Sequence, residues 1–249
     1  MIVLVTGATA GFGLAIARRF AARGDRVIAT GRRAARLDDL RNELGAEHCL
    51  AIPLDVRDRA ATEAAIAALP PGWAAVDLLV NNAGLALGLA PAHQADPEEW
   101  ERMVDTNVKG LLHVTRAVLP GMVARDAGHV VNIGSTAGEW PYPGGNVYGA
   151  TKAFVRQFSL NLRADLWGTR VRVTDIEPGL VGGTEFSTVR FGGDAARAAG
   201  IYENADPLTP EDIADAVEWV ATRPARVNVN TLQVMPVGQA WGPLRVHKG

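Results

Sequence analysis

Tyr148 and Lys152 are four residues apart at the start of an amphipathic helical pattern. Four residues of α-helix rise about 6 Å and place both side chains on one face. An ammonium group beside a phenol favours the ionised form and lowers the phenol pKa, so the pair has the chemistry of a proton acceptor and donor. The same spacing is also typical of two solvated side chains, and the pair alone does not decide between the two interpretations.

Two further polar residues fit a catalytic group. Ser135 ends a predicted strand thirteen residues before Tyr148, and Asn107 lies in a long helical pattern where its short amide has no propensity advantage. Each also fits a structural role, because Ser135 can cap a turn and Asn107 can bond to the helix backbone. Open α/β sheets bind ligands at the carboxyl ends of their strands, which favours the catalytic interpretation.

A glycine-rich segment follows the first predicted strand. The segment "TGATAGFG" has glycines at positions 7, 11 and 13 and precedes a helical pattern. Glycines let the backbone approach a pyrophosphate, which the free N–H groups of the next helix bind. Ordinary turn chemistry also uses glycine, but the position of this segment at the first strand predicts a dinucleotide-binding loop.

The end of the second predicted strand indicates which dinucleotide is bound. Gly31 stands where folds that prefer NAD usually carry an acid for the ribose hydroxyl, and Arg32 and Arg33 follow it. A guanidinium group can bind a 2′-phosphate through two hydrogen bonds. A solvated basic start to the next helix, which also contains Arg36, is the alternative. We expect NADP(H).

Short β-branched runs alternate with helical patterns along the whole chain. This predicts an α/β Rossmann fold, a seven-stranded and mostly parallel doubly wound sheet with helices on both faces, in one domain over 1–249. The predicted strands are 2–5, 26–30, 49–54, 77–80, 129–133, 171–176 and 232–237. The predicted helices are 12–23, 34–44, 58–68, 97–126, 149–167 and 210–222.

Two helix starts carry capping signals. Asp96 precedes Pro97 with Glu99 at the capping-box position, and Thr209 precedes Pro210 with Asp212 in the same place. Between the predicted strand 171–176 and the predicted helix 210–222, the glycine-rich segment 179–208 is long for a connection. Its position after the sixth strand predicts a substrate lid.

Composition narrows the function classes. The net charge is −2 without a basic run, so nucleic acid and anionic membranes are poor partners. Cys49 is the only cysteine, which excludes an internal disulfide and fits a reducing compartment. The five histidines form no close pair at metal-ligand spacing, so no metal site is expected. With neither a signal peptide nor a membrane span, we expect a cytoplasmic protein.

Several of these motifs together resemble those of a known family. "TGATAGFG", "NNAG" at 81–84, Asn107, Ser135, the Tyr148-x-x-x-Lys152 pair and "PG" at 178–179 are similar to the short-chain dehydrogenases/reductases along essentially the whole chain. The stretches around Tyr148 and "RVTDIEPGLVGGTEF" resemble more narrowly the NADP-dependent 3-hydroxy acid dehydrogenases. The resemblance implies the strand order 3-2-1-4-5-6-7.

The resemblance also implies a role for each residue of the catalytic tetrad. Tyr148 is the acid and base, and Lys152 lowers its pKa and holds the nicotinamide ribose. Ser135 orients the substrate oxygen, so that Ser135 and Tyr148 are the expected substrate-binding residues. Asn107 anchors a water molecule in a proton relay.

The implied cofactor contacts extend from the glycine loop to the lid. Asp55 contacts adenine, Asn81 contacts the ribose region on the adenosine side, and 178–186 lines the nicotinamide and phosphates. Many family members read P-G-x-V-x-T, whereas this chain reads "PGLVGGT", so Thr184 comes one residue late. The small residues 149–151 are expected where the helix approaches the cofactor. The full set is Gly7, Thr9, Ala10, Gly11, Phe12, Gly13, Arg32, Arg33, Asp55, Val56, Asn81, Ala83, Gly84, Tyr148, Lys152, Pro178, Gly179, Val181, Thr184 and Phe186.

The implied substrates are serine, L-allo-threonine, 3-hydroxypropionate and 3-hydroxyisobutyrate, or malonic semialdehyde in the reverse reaction. Their carboxylate needs a cation or backbone N–H groups, for which Arg190 and the glycines at 144–145 and 182–183 are candidates. Arg190 equally fits a solvated lid residue, and Trp140 and Tyr142 fit either a pocket wall or packing. The alternatives are another ketone or 3-oxoacyl reductase, or a non-catalytic NADP(H)-sensing protein. The family resemblance further implies a homotetramer.

Overall fold

The computed structural model describes residues 1–240, in which seven strands form one parallel sheet. The strand order is β3-β2-β1-β4-β5-β6-β7, and every neighbouring pair is parallel, which confirms the predicted fold. The strands are β1 (Ile2–Thr6), β2 (Arg26–Gly31), β3 (Cys49–Pro53), β4 (Leu78–Asn81), β5 (Gly128–Ile133), β6 (Val171–Pro178) and β7 (Thr231–Val234).

Helices cover both faces of this sheet. Because the strands are buried on both faces, they read in sequence as nearly continuous apolar runs. One core cluster packs the sheet against α1, α2 and α9, and a second packs it against α5 and α6. The helices are α1 (Gly11–Ala22), α2 (Ala34–Leu44), α3 (Arg59–Ala67), α4 (Pro97–Val104), α5 (Leu111–Ala124), α6 (Asn146–Asp165), α7 (Phe186–Arg190), α8 (Ala195–Gly200) and α9 (Pro210–Ala221).

The predicted helix 97–126 is interrupted near its middle. A π-helical segment, Asp105–Gly110, joins α4 to α5 and contains Asn107. A π-helical turn carries one extra residue per turn, and such turns are frequent at functional sites. Helical periodicity did not reveal this interruption, because apolar spacing continues on both sides of it.

The two predicted helix starts differ in detail. Asp96 caps α4 by accepting from the Glu98 N–H at 2.9 Å, but Glu99 does not complete a capping box there. The Glu99 carboxylate instead lies beside Gly88, so this part of the prediction was wrong. Thr209 and Asp212 form the complete box at the start of α9.

The segment 179–208 contains two short helices, α7 and α8, that periodicity did not predict. Its ends are joined by a parallel bridge between Val181 and Leu208. Among residues 1–240, no helix is long and apolar enough to cross a membrane. The same residues contain no group of three His, Cys, Asp or Glu side chains placed to hold a metal ion, and His247 lies outside them.

Candidate active site

The loop between β1 and α1 has the geometry of an anion-binding turn. Gly7 and Gly11 have φ of 68° and 52°, in the left-handed region that favours glycine. A β-carbon at Gly13 would overlap the Gly7 carbonyl oxygen and come within 2.5 Å of the Asn82 amide nitrogen. Ala10 supplies no capping side chain, so the first N–H groups of α1 are available to a ligand.

Gly13→Ala is expected to destabilise the protein by about 1–3 kcal/mol, because the added methyl group overlaps main chain that has little freedom to move. The matched control is Gly121→Ala in α5, where a β-carbon would meet only the flexible Arg125 guanidinium at 3.3 Å. The control should leave stability equal or slightly higher, since alanine favours helix. Urea denaturation of both variants measures the difference, and equal stability of the two would contradict the packing argument.

The end of β2 meets both the glycine loop and the segment 179–208. A side chain at Gly31 would come within 2.8 Å of Thr9, which explains why no acid stands there. Arg33 donates to the Thr9 hydroxyl at 2.9 Å and pairs with Glu185 at 2.7 Å, while Arg32 is exposed. Arg36 also pairs with Glu185 at 2.7 Å. Arg33 and Arg36 therefore bind the Glu185 carboxylate at this edge of the sheet, which shows that an anion fits between their guanidinium groups.

Asp55 and Val56 follow β3 at the same edge of the sheet. Both carboxylate oxygens of Asp55 bind Arg57, which holds the pKa of Asp55 below its usual range. Val56 packs against Gly110, and its carbonyl oxygen is 3.0 Å from the His113 ring. The Asp55 carboxylate is thus bound by Arg57 of its own loop, and its contact with adenine stays a prediction.

Tyr148 lies in α6 with its ring buried at the carboxyl end of the sheet. The Phe186 ring packs edge-on against it at 5.7 Å. Ser135 lies two residues after β5 and accepts from the Ala137 N–H at 3.1 Å, so it caps a turn while facing Tyr148. The capping role and the catalytic role are therefore compatible in one residue.

Asn107 reaches out of the π-helical segment rather than bonding to its own helix. Its amide oxygen accepts from the Leu85 N–H at 2.9 Å, and its amide nitrogen donates to the Leu85 carbonyl at 2.8 Å and the Thr151 hydroxyl at 3.0 Å. Thr151 in turn donates to the Tyr148 carbonyl at 2.7 Å. Asn107 thereby fixes the loop after β4 to the helix that carries Tyr148.

Lys152 is buried one helical turn after Tyr148. Its ammonium nitrogen donates to the Ile133 carbonyl at 2.7 Å and lies 5.9 Å from the centre of the Tyr148 ring. Burial lowers the pKa of Lys152 to about 8.

The environment of Tyr148 opposes ionisation in this structure. Burial raises its pKa to about 12 and the Tyr142 phenol adds to that rise, whereas Ser135 and Arg190 lower it. In the protein alone, removing the phenolate from water thus costs more than Ser135 and Arg190 return. That Lys152 and the oxidised nicotinamide ring lower this pKa together stays a prediction.

The segment 179–208 crosses this crevice. Thr184 lies over the glycine loop, 3.4 Å from where a Gly11 β-carbon would be, because Gly183 turns the chain with a φ of 67°. Arg190 lies at the other end of α7, with its guanidinium 5.5 Å from the centres of both the Tyr142 and Tyr148 rings. Arg190 donates to the Tyr142 hydroxyl at 2.9 Å and the Gly88 carbonyl at 3.1 Å.

Comparison with known proteins identifies the family. A model described as short chain dehydrogenase matches residues 1–192. The chain is 68% identical, over 100% of both sequences, to the NADP-dependent 3-hydroxy acid dehydrogenase of Salmonella typhi. This protein belongs to the short-chain dehydrogenases. It is also 52% identical to the serine 3-dehydrogenase of Agrobacterium fabrum, over 99% of this chain and 98% of that protein.

A solved structure agrees with this assignment. The closed form of a serine dehydrogenase complexed with NADP⁺ has 65% sequence identity and a TM-score of 0.96, with 100% of both chains covered. This short-chain dehydrogenase is therefore an oxidoreductase of the subgroup that the sequence motifs predicted.

In this short-chain dehydrogenase the side chain of Asn81 is bound within the protein, and its predicted contact with the ribose on the adenosine side stays a prediction. Asn81 is buried and donates to Thr115 at 2.9 Å and Asn132 at 2.8 Å, so its side chain faces α5 and not the crevice. The neighbouring Asn82 holds the glycine loop by donating to the Thr6 carbonyl at 2.8 Å. Successive strand residues point to opposite faces, and this alternation is the signal that could have separated the two asparagines.

The small residues of α6 serve protein packing. A β-carbon at Gly149 would lie 3.0 Å from the Ala137 carbonyl, and Thr151 is hydrogen-bonded within the protein. Protein packing alone thus accounts for the small size of Gly149, and the closeness of 149–151 to a cofactor stays a prediction. Glu185 was not predicted from the sequence, because contacts between distant segments leave no local pattern. Arg190, for which the sequence left a substrate contact and a solvated position open, lies inward beside Tyr142 and Tyr148.

Proposed function

We propose that this protein is an NADP-dependent dehydrogenase that oxidises the C3 hydroxyl group of short 3-hydroxy acids and reduces the matching semialdehydes. L-Serine, L-allo-threonine, 3-hydroxypropionate and 3-hydroxyisobutyrate are the proposed substrates of oxidation, and malonic semialdehyde is one of reduction. The names of the relatives in Salmonella typhi and Agrobacterium fabrum support the cofactor and the reaction. A cytoplasmic homotetramer stays a prediction from the sequence.

The position of Arg190 carries the proposal for an acidic substrate. In a 3-hydroxy acid, the carboxylate carbon is two bonds from the carbon that bears the reacting hydroxyl. The Arg190 guanidinium lies 5.5 Å from the Tyr148 ring, so one small molecule can reach both groups. Its Nε and Nη2 atoms have acceptors, whereas Nη1 has none among residues 1–240 and is available to a carboxylate.

The residues at the carboxyl ends of the strands fit NADP(H). The absence of a β-carbon at Gly13 lets the Gly7–Gly13 loop turn tightly against α1, and the uncapped start of α1 supplies N–H donors for a pyrophosphate. Arg32 and Arg33 would hold the 2′-phosphate at the end of β2. Lys152 and the main chain around Gly84 would hold the nicotinamide ribose. When bound, the oxidised nicotinamide supplies the hydride acceptor and a positive charge.

The chain itself positions the substrate and moves the proton. Tyr148 accepts the proton of the C3 hydroxyl during oxidation and returns it during reduction. Ser135 hydrogen-bonds the same substrate oxygen, which fixes that oxygen opposite Tyr148. The Lys152 ammonium favours the phenolate form of Tyr148 by its charge, and Phe186 excludes water from the ring.

Arg190→Gln is expected to lower kcat/KM for 3-hydroxypropionate by about 10- to 100-fold, the usual cost of losing a charge-assisted hydrogen bond. The same variant should lower kcat/KM for methyl 3-hydroxypropionate much less, because the ester has no negative charge for Arg190 to bind. Initial rates of NADPH formation with the acid and the ester measure both effects.

Arg197→Gln is the matched control for this test. Arg197 lies in the same segment 179–208 but stacks on Phe191, 4.4 Å from that ring, rather than facing Tyr148. It should leave the preference for acid over ester unchanged. Equal losses for acid and ester in Arg190→Gln would show that Arg190 serves the fold of the segment and does not bind the substrate carboxylate.

A further inference from the structure

Two carboxyl groups are buried beneath α6, and the reaction described above does not use them. Asp175 and Glu177 alternate along β6, so both side chains point to the α6 face of the sheet, and each residue is 1% exposed. Neither carboxylate oxygen of Asp175 has a hydrogen-bond donor among residues 1–240. Burying an unpaired carboxylate is costly, so Asp175 requires either a proton or a nearby positive charge.

Glu177 differs from Asp175 because it has partners. The Gln233 amide donates to Glu177 at 2.8 Å, and Arg156 lies 3.5 Å from its other oxygen. Gln233 and Arg156 also contact the partly exposed Glu139, at 2.7 Å and 3.2 Å. Gln233 and Arg156 therefore offset part of the charge of Glu177, whereas neither donates to Asp175, which faces Glu177 itself.

The positive group beside Asp175 is Lys152. Lys152 donates to the Ile133 carbonyl, and the Asp175 carboxylate lies directly over the next residue, Gly134, where any β-carbon would overlap it. Among the described residues, Asp175 is the one ionisable group whose charge acts on the pKa of Lys152, and it raises that pKa against the lowering effect of burial. The two groups therefore stabilise each other's charge.

Burial moves the pKa values of Asp175 and Lys152 toward each other. Burial and the neighbouring Glu177 raise the pKa of Asp175 to about 7, while Lys152 and Arg156 lower it. Burial lowers the pKa of Lys152 to about 8. Both groups thus titrate close to neutrality, where an ionised Asp175 stabilises the protonated form of Lys152. At and above neutral pH, the Asp175 carboxylate is therefore a counter-ion for Lys152, which burial would otherwise bring close to losing its proton.

We propose that Asp175 is a positioning residue of the reaction, the buried counter-ion that keeps Lys152 protonated while Tyr148 accepts the substrate proton. Its relevance to catalysis rests on the role of Lys152 in the proposed function. The counter-ion itself is a property of the protein without substrate. It can therefore be tested separately from any activity.

The titration of Lys152 can be observed directly, because the chain has only three lysines, Lys109, Lys152 and Lys248. Protein labelled with ¹³Cε-lysine gives one resonance for each, and Lys109→Arg and Lys248→Arg assign them. In the natural sequence, the Lys152 resonance should shift in two steps, first as Asp175 ionises and then as Lys152 loses its proton. A single step that shows no response to Asp175 would overturn the proposal, and this measurement needs no change to either residue.

Asp175→Asn should lower the titration midpoint of Lys152 by about one pH unit or more, since it removes an opposite charge nearby. Glu177→Gln is the matched control. It removes the other buried carboxylate, which raises the pKa of Asp175, so Asp175 remains and ionises at lower pH. Its Lys152 midpoint should stay equal or rise. Lys109, which pairs with Asp105 at 2.7 Å on the surface, should be unaffected in both variants. An unchanged midpoint in Asp175→Asn, or an equal fall in both variants, would overturn the proposal.

The kinetic consequence distinguishes a counter-ion from a packing residue. If Lys152 must be protonated, the alkaline limb of the pH profile of kcat/KM moves to lower pH in Asp175→Asn, in step with the resonance. A packing defect would lower kcat at every pH without moving that limb. If the protein oxidises no 3-hydroxy acid, the proposed function is wrong. The titration of the Lys152 resonance then still tests whether Asp175 is the counter-ion of Lys152.

Discussion

Tyr148→Phe is expected to lower kcat for 3-hydroxy acid oxidation by a factor of about 10³, because phenylalanine cannot accept the substrate proton. The Kd for NADPH should change by less than about threefold, since the variant keeps the ring and its packing on Phe186. Stopped-flow or steady-state rates and a fluorescence titration of NADPH measure the two quantities separately. If Tyr148 is the proton acceptor, as proposed, oxidation by the natural enzyme should become faster with pH as Tyr148 ionises, and this dependence should disappear in the variant.

Tyr202→Phe provides the matched control, because it removes the same atom from a tyrosine whose hydroxyl contacts Ser187. The Tyr202 hydroxyl lies 2.6 Å from the Ser187 hydroxyl in the segment 179–208. This variant should retain turnover within about tenfold, the cost of one hydrogen bond between neutral groups. Near-normal turnover in Tyr148→Phe would assign the proton transfer to another group.

Arg32→Ala combined with Arg33→Ala is expected to weaken NADPH binding by about 100-fold and NADH binding by less than about threefold. The two cofactors differ by the 2′-phosphate alone, and each charge-assisted hydrogen bond to it contributes about 1.5–3 kcal/mol, less where solvent screens the charge. Fluorescence titrations with both cofactors, at low and high salt, give the comparison. The loss for NADPH should shrink at high salt, because these side chains are partly exposed.

Arg36→Ala separates phosphate binding from the contact with the segment 179–208. Arg36 pairs with Glu185 as Arg33 does, but it lies one helical turn further from the end of β2. If the double variant weakens NADPH only by releasing Glu185, Arg36→Ala should show a similar loss. Equal losses for NADPH and NADH in the double variant would contradict a role in binding the 2′-phosphate.

The parallel sheet was predictable because buried parallel strands leave a strong signal, whereas the strand order was predicted only through the family resemblance. Each strand is an apolar run of four to eight residues between turn residues, and the helices between them are amphipathic. The positions of Ser135 and of the glycine loop follow directly, since both come immediately after a strand. Their arrangement at one edge of the sheet is a consequence of parallel topology.

Features that depend on contacts between distant segments were not predictable in the same way. The π-helical segment around Asn107 accompanies hydrogen bonds to Leu85, twenty-two residues away, which no local pattern encodes. The helices α7 and α8 have five and six residues, too short for a periodic pattern. The raised pKa of Tyr148 reflects how deeply the folded protein buries it.

The buried acids of β6 were predictable in principle. Val171 and Val173 continue in steps of two to Asp175 and Glu177, so alternation places the acids on the same buried face as the valines. A charged residue in the buried register of a strand contradicts the ordinary hydrophobic pattern, and such conflicts concentrate at functional sites. This reasoning needs only the sequence and the assignment of 171–176 as a strand.

The most direct test of the proposed reaction is the initial rate of nicotinamide reduction with purified protein. NADP⁺ and NAD⁺ should each be offered with L-serine, 3-hydroxypropionate and methyl 3-hydroxypropionate, and NADPH oxidation should be followed in parallel with a 3-oxoacyl thioester. The structure predicts NADPH formation with both acids, a higher kcat/KM for 3-hydroxypropionate than for its ester, and a preference for NADP⁺. Faster turnover of the thioester than of any 3-hydroxy acid, or no NADPH formation with either acid, would contradict the proposed function.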